Sequence, residues 1–398
     1  MVSRRQFLAT VMRIGPVVGS TLALCRAAAS DRISGFLRTA AKARYWISTA
    51  SPGIDCLICH KSEENLAVNK HEGRPPVVKC LLCPKSCVIP NGKRGACGVR
   101  MNINGELKSL VYGRPVAVHV DPIEKKPFYH FLPGSEAFSL ATAGCPLRCK
   151  FCQNWEISQA RPEDLQSDFT PPEKIIESAS ARGSKVIAFT YNEPTVFMEY
   201  LVDIAALAKK RNMRSVLVSS GYMNAEPLKE MCRLLDAIKI DLKGYSEDFY
   251  RDVCGGELGP VLHSIRLAAK SGIHLEIVNL VVPTLNDSEK MLKGLADWIM
   301  GEIGPDVPVH FTRFHPDYKL LNLPPTPIAT LERARDIAMS RGLQYAYVGN
   351  VPGHPGNHTY CPQCGEVVIR RNAFFVTEVN LKNGKCKYCG KSIPGIWT

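Results

Sequence analysis

Cysteine placement constrains this chain more than any other feature of its sequence. There are sixteen cysteines, and most are separated from a neighbour by only two or three intervening residues. Wide spacings would suit a disulfide framework, whereas CxxC and CxxxC groups chelate metals. The groups are Cys56/Cys59, Cys80/Cys83/Cys87/Cys97, Cys145/Cys149/Cys152 and Cys361/Cys364/Cys386/Cys389, with Cys25, Cys232 and Cys254 alone. A length of 398 residues allows two or three folding units with a sizeable core, so the metals pin modules onto a globular body. A hydrophobic share of 45%, with Gly and Pro in no triplet period, excludes collagen-like and wholly disordered chains. The formal charge of +13 is scattered and forms no polybasic run, which favours a solvated surface over a nucleic-acid patch.

Segment by segment the organisation changes. Ser3-Arg4-Arg5-Gln6-Phe7-Leu8 precedes a small-residue apolar stretch and Ala27-Ala28-Ala29, which together are similar to a twin-arginine export leader over 1–30. A basic amphipathic helix is the alternative, because Arg13 interrupts the stretch. No other run approaches the length needed to span a bilayer. Residues 31–79 read as linker with short helices and one CxxC, and Cys56/Cys59 with His60 and His71 either bind a metal or stand free. Residues 80–135, with apolar runs at 107–112 and 115–120, read as a small module pinned by metal.

From 136 to 350 short apolar strands alternate with amphipathic helices, the pattern of a parallel sheet with helical crossovers. The expected strands are 138–142, 185–190, 215–219, 237–241, 274–280, 307–313 and 344–348. The expected helices are 172–182, 196–212, 226–235, 260–271, 288–302 and 327–341. Six such crossovers make an open or partial barrel. A compact Cys-rich tail, 351–398, follows Pro352 and Pro355.

Cys145-Pro-Leu-Arg-Cys149-Lys-Phe-Cys152 directly follows the first of these strands, on the edge where barrel-type sheets place their chemistry. A closed zinc or iron–sulfur site wants four protein ligands, so three thiolates leave a metal position open to a cofactor or substrate. CxxxCxxC with an aromatic before its last cysteine, opening a run of β/α units, resembles the radical S-adenosylmethionine (SAM) superfamily. The resemblance implies an α/β partial (β/α)6 TIM-like barrel of the radical SAM type, with a Cys-rich N-terminal module and a zinc-ribbon-like tail. It also implies a [4Fe-4S] cluster on Cys145, Cys149 and Cys152 whose open iron is chelated by SAM. One-electron reduction then yields a 5'-deoxyadenosyl radical that takes hydrogen from a substrate.

Other strand ends are similar to the family's cofactor contacts. Thr190-Tyr191-Asn192-Glu193-Pro194 looks like the Gly-Gly-Glu-Pro stretch that receives the methionyl amino group, with Asn192 in place of a glycine and Glu193 as acceptor or, alternatively, as a helix cap. Asp241-Leu242-Lys243 resembles the Asp-Leu-Lys of glycyl-radical activating enzymes, or is an internal ion pair. Phe151, Glu276, Asn279 and His315 are further candidates for cofactor contact. The stretches 80–100, 121–134, 151–158 and 347–354 look like AmmeMemoRadiSam-system radical enzymes, within the pyruvate formate-lyase activating enzyme-like group.

That resemblance implies a low-potential electron donor of flavodoxin or ferredoxin type, a candidate protein or peptide substrate, and AMMECR1-like and MEMO-like partners. Cys80, Cys83, Cys87 and Cys97 can close a zinc or a second iron–sulfur site, and spacing alone leaves both open. Cys361/Cys364 and Cys386/Cys389 form two CxxCG knuckles of a zinc ribbon, with Phe374 and Phe375 expected in its core and nucleic acid not expected as partner. Cys232 and Cys254 read as ordinary thiols. The competing reading is a non-enzymatic metal-binding or electron-transfer protein. An export-type leader conflicts with a cofactor and reductants that are cytoplasmic, so compartment stays open.

Overall fold

The structure, a computed structural model, describes residues 33–49 and 75–398; the leader-like segment and Cys25, Cys56, Cys59, His60 and His71 lie outside the described residues. Eight strands form one sheet in sequential order: β1 (Ala117–Pro122), β2 (Glu136–Ala141), β3 (Val186–Phe189), β4 (Arg214–Ser219), β5 (Ala237–Asp241), β6 (His274–Val281), β7 (Val309–Arg313) and β8 (Ala346–Gly349). From β2 to β8 all neighbours are parallel, while β1 pairs antiparallel with β2. The end strands β1 and β8 do not pair, so the barrel is open.

These seven parallel strands fall where the apolar runs predict them, for a physical reason. A strand covered by helices on one face and by the barrel interior on the other needs apolar side chains in both directions. Val186–Phe189 and Ala346–Gly349 are buried at every position. Between them run α1 (Pro172–Ala181), α2 (Met198–Lys210), α3 (Ala225–Leu234), α4 (Leu258–Ser271), α5 (Glu289–Glu302) and α6 (Ile328–Ser340). Helix α5 shows how the sequence sets them. The Ser288 hydroxyl accepts from Met291 N at its start, and Leu292, Leu295, Ala296 and Ile299 form its buried stripe. Each large member of that stripe contributes about 1.5–3 kcal/mol by leaving water.

The N-terminal region departs from expectation at two places. Residues 41–42 and 46–48, read as linker, are strands: Ala41–Lys42 joins Glu106–Ser109 and Arg100–Ile103, and Trp46–Ser48 joins Val78–Cys80 and Val88–Ile89. The run at 115–120 belongs to the central sheet as β1, outside the Cys-rich module. An apolar run shows that a strand forms but not which sheet it joins, and β1, with Val118 and His119 exposed, takes the edge beside β2.

The tail holds the strands Thr359–Tyr360, Val367–Asn372 and Phe375–Val379, and docks on the barrel through buried polar groups. Arg371 donates to the Tyr129 carbonyl at 2.7 Å and to Thr359 Oγ1 at 2.9 Å, and lies 3.5 Å from the Glu124 carboxylate. Phe374 and Phe375 do not fill the tail's core: Phe375 is 67% exposed, and Phe374 lines the main cavity. Cys361, Val368, Cys386 and Ile393 take that place, packed against Tyr129, Tyr345 and Tyr347. Among the described residues no helix is long and apolar enough to cross a membrane.

Candidate active site

Beyond β2 the chain must turn sharply to present the three cysteines, and Gly144 makes that turn with φ at 94°. A Cβ at Gly144 would stand 2.6 Å from the Cys97 carbonyl oxygen, so the position requires glycine for space as well as for backbone angle. The Asn192 amide donates to the carbonyls of Thr142 (2.7 Å) and Gly144 (2.8 Å), tying this loop to the loop after β3. Backbone N–H groups of Arg148 and Lys150 donate to the carbonyls of Cys254 and Val253.

So held, Cys145, Cys149 and Cys152 line a cavity of about 840 Å³ at the C-terminal ends of the strands. That volume suits a small-molecule site. Burial pushes the thiols of Cys145 and Cys152 up, and the charge of Glu193 adds to this at Cys145. Cys149 is held down, first by its hydrogen bond with the Cys254 thiol and then, against burial, by nearby Lys243. A metal entering here must displace protons from buried thiols. Cys254 is a buried thiol beside Cys149 that does not line the cavity.

Phe151, Asn192, Glu193, Asp241, Lys243 and His315 also line the cavity. Glu193 is buried, and its oxygens accept from Thr195 N and Oγ1, Ser219 Oγ, and Ser220 N and Oγ. Those five donors fill a carboxylate's roughly four lone-pair sites, leaving none for an incoming ammonium. Glu193 thus caps the turn Pro194–Phe197 and clamps the end of β4. Its neighbour has the spare capacity: Asn192 Oδ1 is buried without a partner.

Asp241 sits between Lys239, in direct contact, and Lys243 at 3.1 Å. Burial opposes its charge, but the two lysines outweigh burial and bring its pKa down to about 2. Burial depresses Lys239, while Asp241 holds Lys243 well above its ordinary value despite burial. Phe151 stacks on Phe249 with ring centroids 6.1 Å apart, and the Lys243 ammonium lies 5.9 Å from the Phe151 ring. His315 is exposed at the rim.

Glu276 and Asn279 are not in this site. Glu276 is fully buried near the start of β6, where it accepts from the backbone N–H groups of Tyr129 and His130 and contacts His274 and His310. Asn279 projects to the other face of β6 and donates to the Leu242 carbonyl at 2.8 Å. Both stand on a strand that does reach the cavity, but through Val278 and Leu280.

Lys239 and Arg313 line the cavity without belonging to any motif, and Lys125 and Lys126 line it from within the 121–134 stretch. Lys239 had a readable signal, being one cation inside the apolar run Ala237–Asp241. Lys126 is pushed down to about 8 by burial, against the pull of Asp121.

Cys361, Cys364, Cys386 and Cys389 form the one group of metal-ligand side chains among the described residues whose donor atoms all lie within 4.8 Å. Their closest sulfur pairs are 3.5 and 3.8 Å apart. Thiolates about 2.3 Å from a single tetrahedral ion stand roughly 3.8 Å apart, so the quartet fits one ion. Cys80, Cys83, Cys87 and Cys97 gather around a separate small void beside Pro146.

The Radical SAM superfamily model matches residues 139–296. The chain is 46% identical over 318 residues to the uncharacterized protein MJ0808 of Methanocaldococcus jannaschii, covering 79% of this chain and 95% of that one. It is 24% identical over 162 residues to the pyruvate formate-lyase-activating enzyme of Clostridium pasteurianum, covering 39% of this chain and 66% of that one. A radical SAM methyltransferase from Sphaerobacter thermophilus superposes with a TM-score of 0.44 at 15% identity, over 58% of this chain and 71% of that one.

Proposed function

Since the chain belongs to the radical SAM superfamily, with activase-like relatives, we propose that it is an enzyme that binds a [4Fe-4S] cluster and SAM at Cys145, Cys149 and Cys152 and takes a hydrogen atom from a protein or peptide substrate. When bound, the cluster and SAM together supply one-electron cleavage of SAM to methionine and a hydrogen-abstracting 5'-deoxyadenosyl radical. The observation that carries this reading is the donor set: Cys145, Cys149 and Cys152 are the three thiols that line an 840 Å³ cavity. A closed structural site would bring its fourth ligand to the same centre.

The chain's own residues fit the pair in a second way. Asn192 Oδ1, buried and without a donor, is the acceptor that suits the methionyl ammonium. Lys243, held charged by Asp241, suits the carboxylate as a point charge. Glu193 acts through its neighbours, fixing Ser219, Ser220 and the turn that carries Asn192. Phe151 walls the cavity beside Lys243, and exposed His315 stands where a substrate enters.

The finer assignment, an AmmeMemoRadiSam-type enzyme with AMMECR1-like and MEMO-like partners and a flavodoxin- or ferredoxin-type donor, rests on the motifs quoted above. The single ion of the tail quartet is read as zinc.

The test is anaerobic reconstitution with iron and sulfide, then dithionite reduction with SAM and chromatography for 5'-deoxyadenosine, with Cys149→Ala as control. Deoxyadenosine from the parent and none from the variant is expected. A loaded parent that forms none would remove the radical reading.

A further inference from the structure

Four of the five lysine and arginine side chains that line the main cavity are paired within the chain. Asp121, behind the wall, takes Lys125 at 2.8 Å and Lys126 at 2.5 Å, and Asp241 holds Lys239 and Lys243. The fifth is Arg313, the last residue of β7, on the sheet edge that carries Cys145, Cys149 and Cys152. Its Nε donates to the Thr326 carbonyl at 2.9 Å, while among the described residues its two terminal nitrogens have no partner and stay accessible. We propose that Arg313 receives an anionic group of the peptide substrate, a carboxylate or a phosphate, an assignment that rests on the radical reading for the reaction and on the cavity alone for the binding.

The chemistry of the side chain supports this. A guanidinium stays charged at any working pH, and its planar fork meets two oxygens of one anion at once. Because Nε is already held by Thr326, part of the ordering that binding requires is complete before a ligand arrives. Arg313 is half-buried, whereas His315, two residues further on, is exposed at the rim. A charge placed inside the rim is screened less than one on the open surface.

The surrounding field points the same way. With Asp121 included, five cations face three carboxylates, and the third of these, Glu193, is filled by neutral donors. Lys125 and Lys239 add their repulsion to the burial that holds Lys126 down to about 8. SAM and an oxidised [4Fe-4S] cluster on three thiolates carry opposite net charges of one unit, so together they leave the surplus in place. An anion beside Arg313 reduces it.

The test uses the reconstituted anaerobic full chain and three blocked amino acids: N-acetyl-glutamate methylamide, its phosphoserine counterpart, and the neutral N-acetyl-glutamine methylamide. Affinities are measured by isothermal titration calorimetry at low salt, with and without excess SAM. At least one charged probe is expected to bind about tenfold or more tighter than the neutral one with SAM present, and Arg313→Gln to erase that preference. The tighter of the two charged probes distinguishes carboxylate from phosphate. Equal affinities, no binding of either charged probe at millimolar concentration, or a preference that survives in Arg313→Gln overturns the proposal. A preference lost on adding SAM also overturns it, and places Arg313 in the cofactor's own subsite. Should Arg313→Gln not fold, the parent decides: the tighter charged probe must slow phenylglyoxal modification of Arg313, read by mass spectrometry, and equal rates with the neutral probe refute the site. None of these readouts involves SAM cleavage. A chain that forms no 5'-deoxyadenosine therefore removes the radical reading and leaves the anion site standing, and absent anion binding leaves the radical reading intact.

Discussion

The Glu193 carboxylate takes five donors from Thr195, Ser219 and Ser220, so a change at this residue should be felt first as stability. Glu193→Gln turns one acceptor oxygen into an NH2 group that faces donors. The backbone N–H of Ser220 or of Thr195 then loses its partner inside a buried site, at about 1–3 kcal/mol. Thermal unfolding of the anaerobic full chain checks this, and an unchanged midpoint would refute the clamp. The sequence placed Glu193 in the right loop but could not assign its partners, because Ser219 and Ser220 arrive from another strand end. Glu276 shows the opposite outcome. It sits on a strand that reaches the cavity, yet two residues toward the start of β6 are enough to put it among His274, His310 and the Tyr129–His130 backbone.

Between elements, the decisive contacts are those that seat one loop on another. Gly144 is the tightest, and Gly144→Ala would drive a Cβ to 2.6 Å from the Cys97 carbonyl and 2.5 Å from Val99 Cγ1. Strain of this kind at φ 94° costs about 1–3 kcal/mol. It should also displace the Cys145 loop, so iron bound per chain is expected to fall, and full iron loading in the alanine variant would contradict that coupling. The segment Tyr129–His130 is seated by titratable groups instead. His130 contacts the Pro394 carbonyl and the Tyr347 hydroxyl at 2.6 Å each, and burial pushes its pKa down to about 3. A histidine whose folded pKa lies below the unfolded value of about 6.5 contributes stability that is complete above 6.5 and lost as pH falls from there toward 3, by about 1.4 kcal/mol per pH unit. Protection factors at 128–132, which remove the intrinsic slowing of exchange at lower pH, should therefore fall from pH 6.5 to 5 before those of strands β3–β5, and an equal fall in both would sink the prediction. Strands and helices of the barrel were legible because each obeys its own period within a few residues. These docking contacts were not, since Glu276 and Tyr129 meet across 147 residues of chain.

At the scale of the whole molecule, the tail is joined to the barrel by a buried ion pair and completes the cavity wall with Ala373 and Phe374. CxxCG spacing reveals the quartet that folds the tail, but nothing local to Arg371 reveals that it reaches Glu124, so the spacing shows a module and not its dock. Both partners are fully buried. Removing one member of such a pair strands the other charge, at about 3–5 kcal/mol. Arg371→Met should accordingly destabilise the chain by that order at neutral pH and raise exchange at both 359–372 and 124–134. Burial already pushes the Glu124 carboxyl up, with Arg371 as the main opposing influence. Without the guanidinium, the carboxyl rises further and is neutralised by protonation as pH falls. The gap in unfolding free energy between parent and Arg371→Met must then narrow on going from pH 7.5 to 5.5. A gap that stays constant would mean that Arg371 acts through its packing on Tyr129, where its guanidinium lies 4.1 Å from the ring, and that the charge of Glu124 does not hold the tail over the cavity.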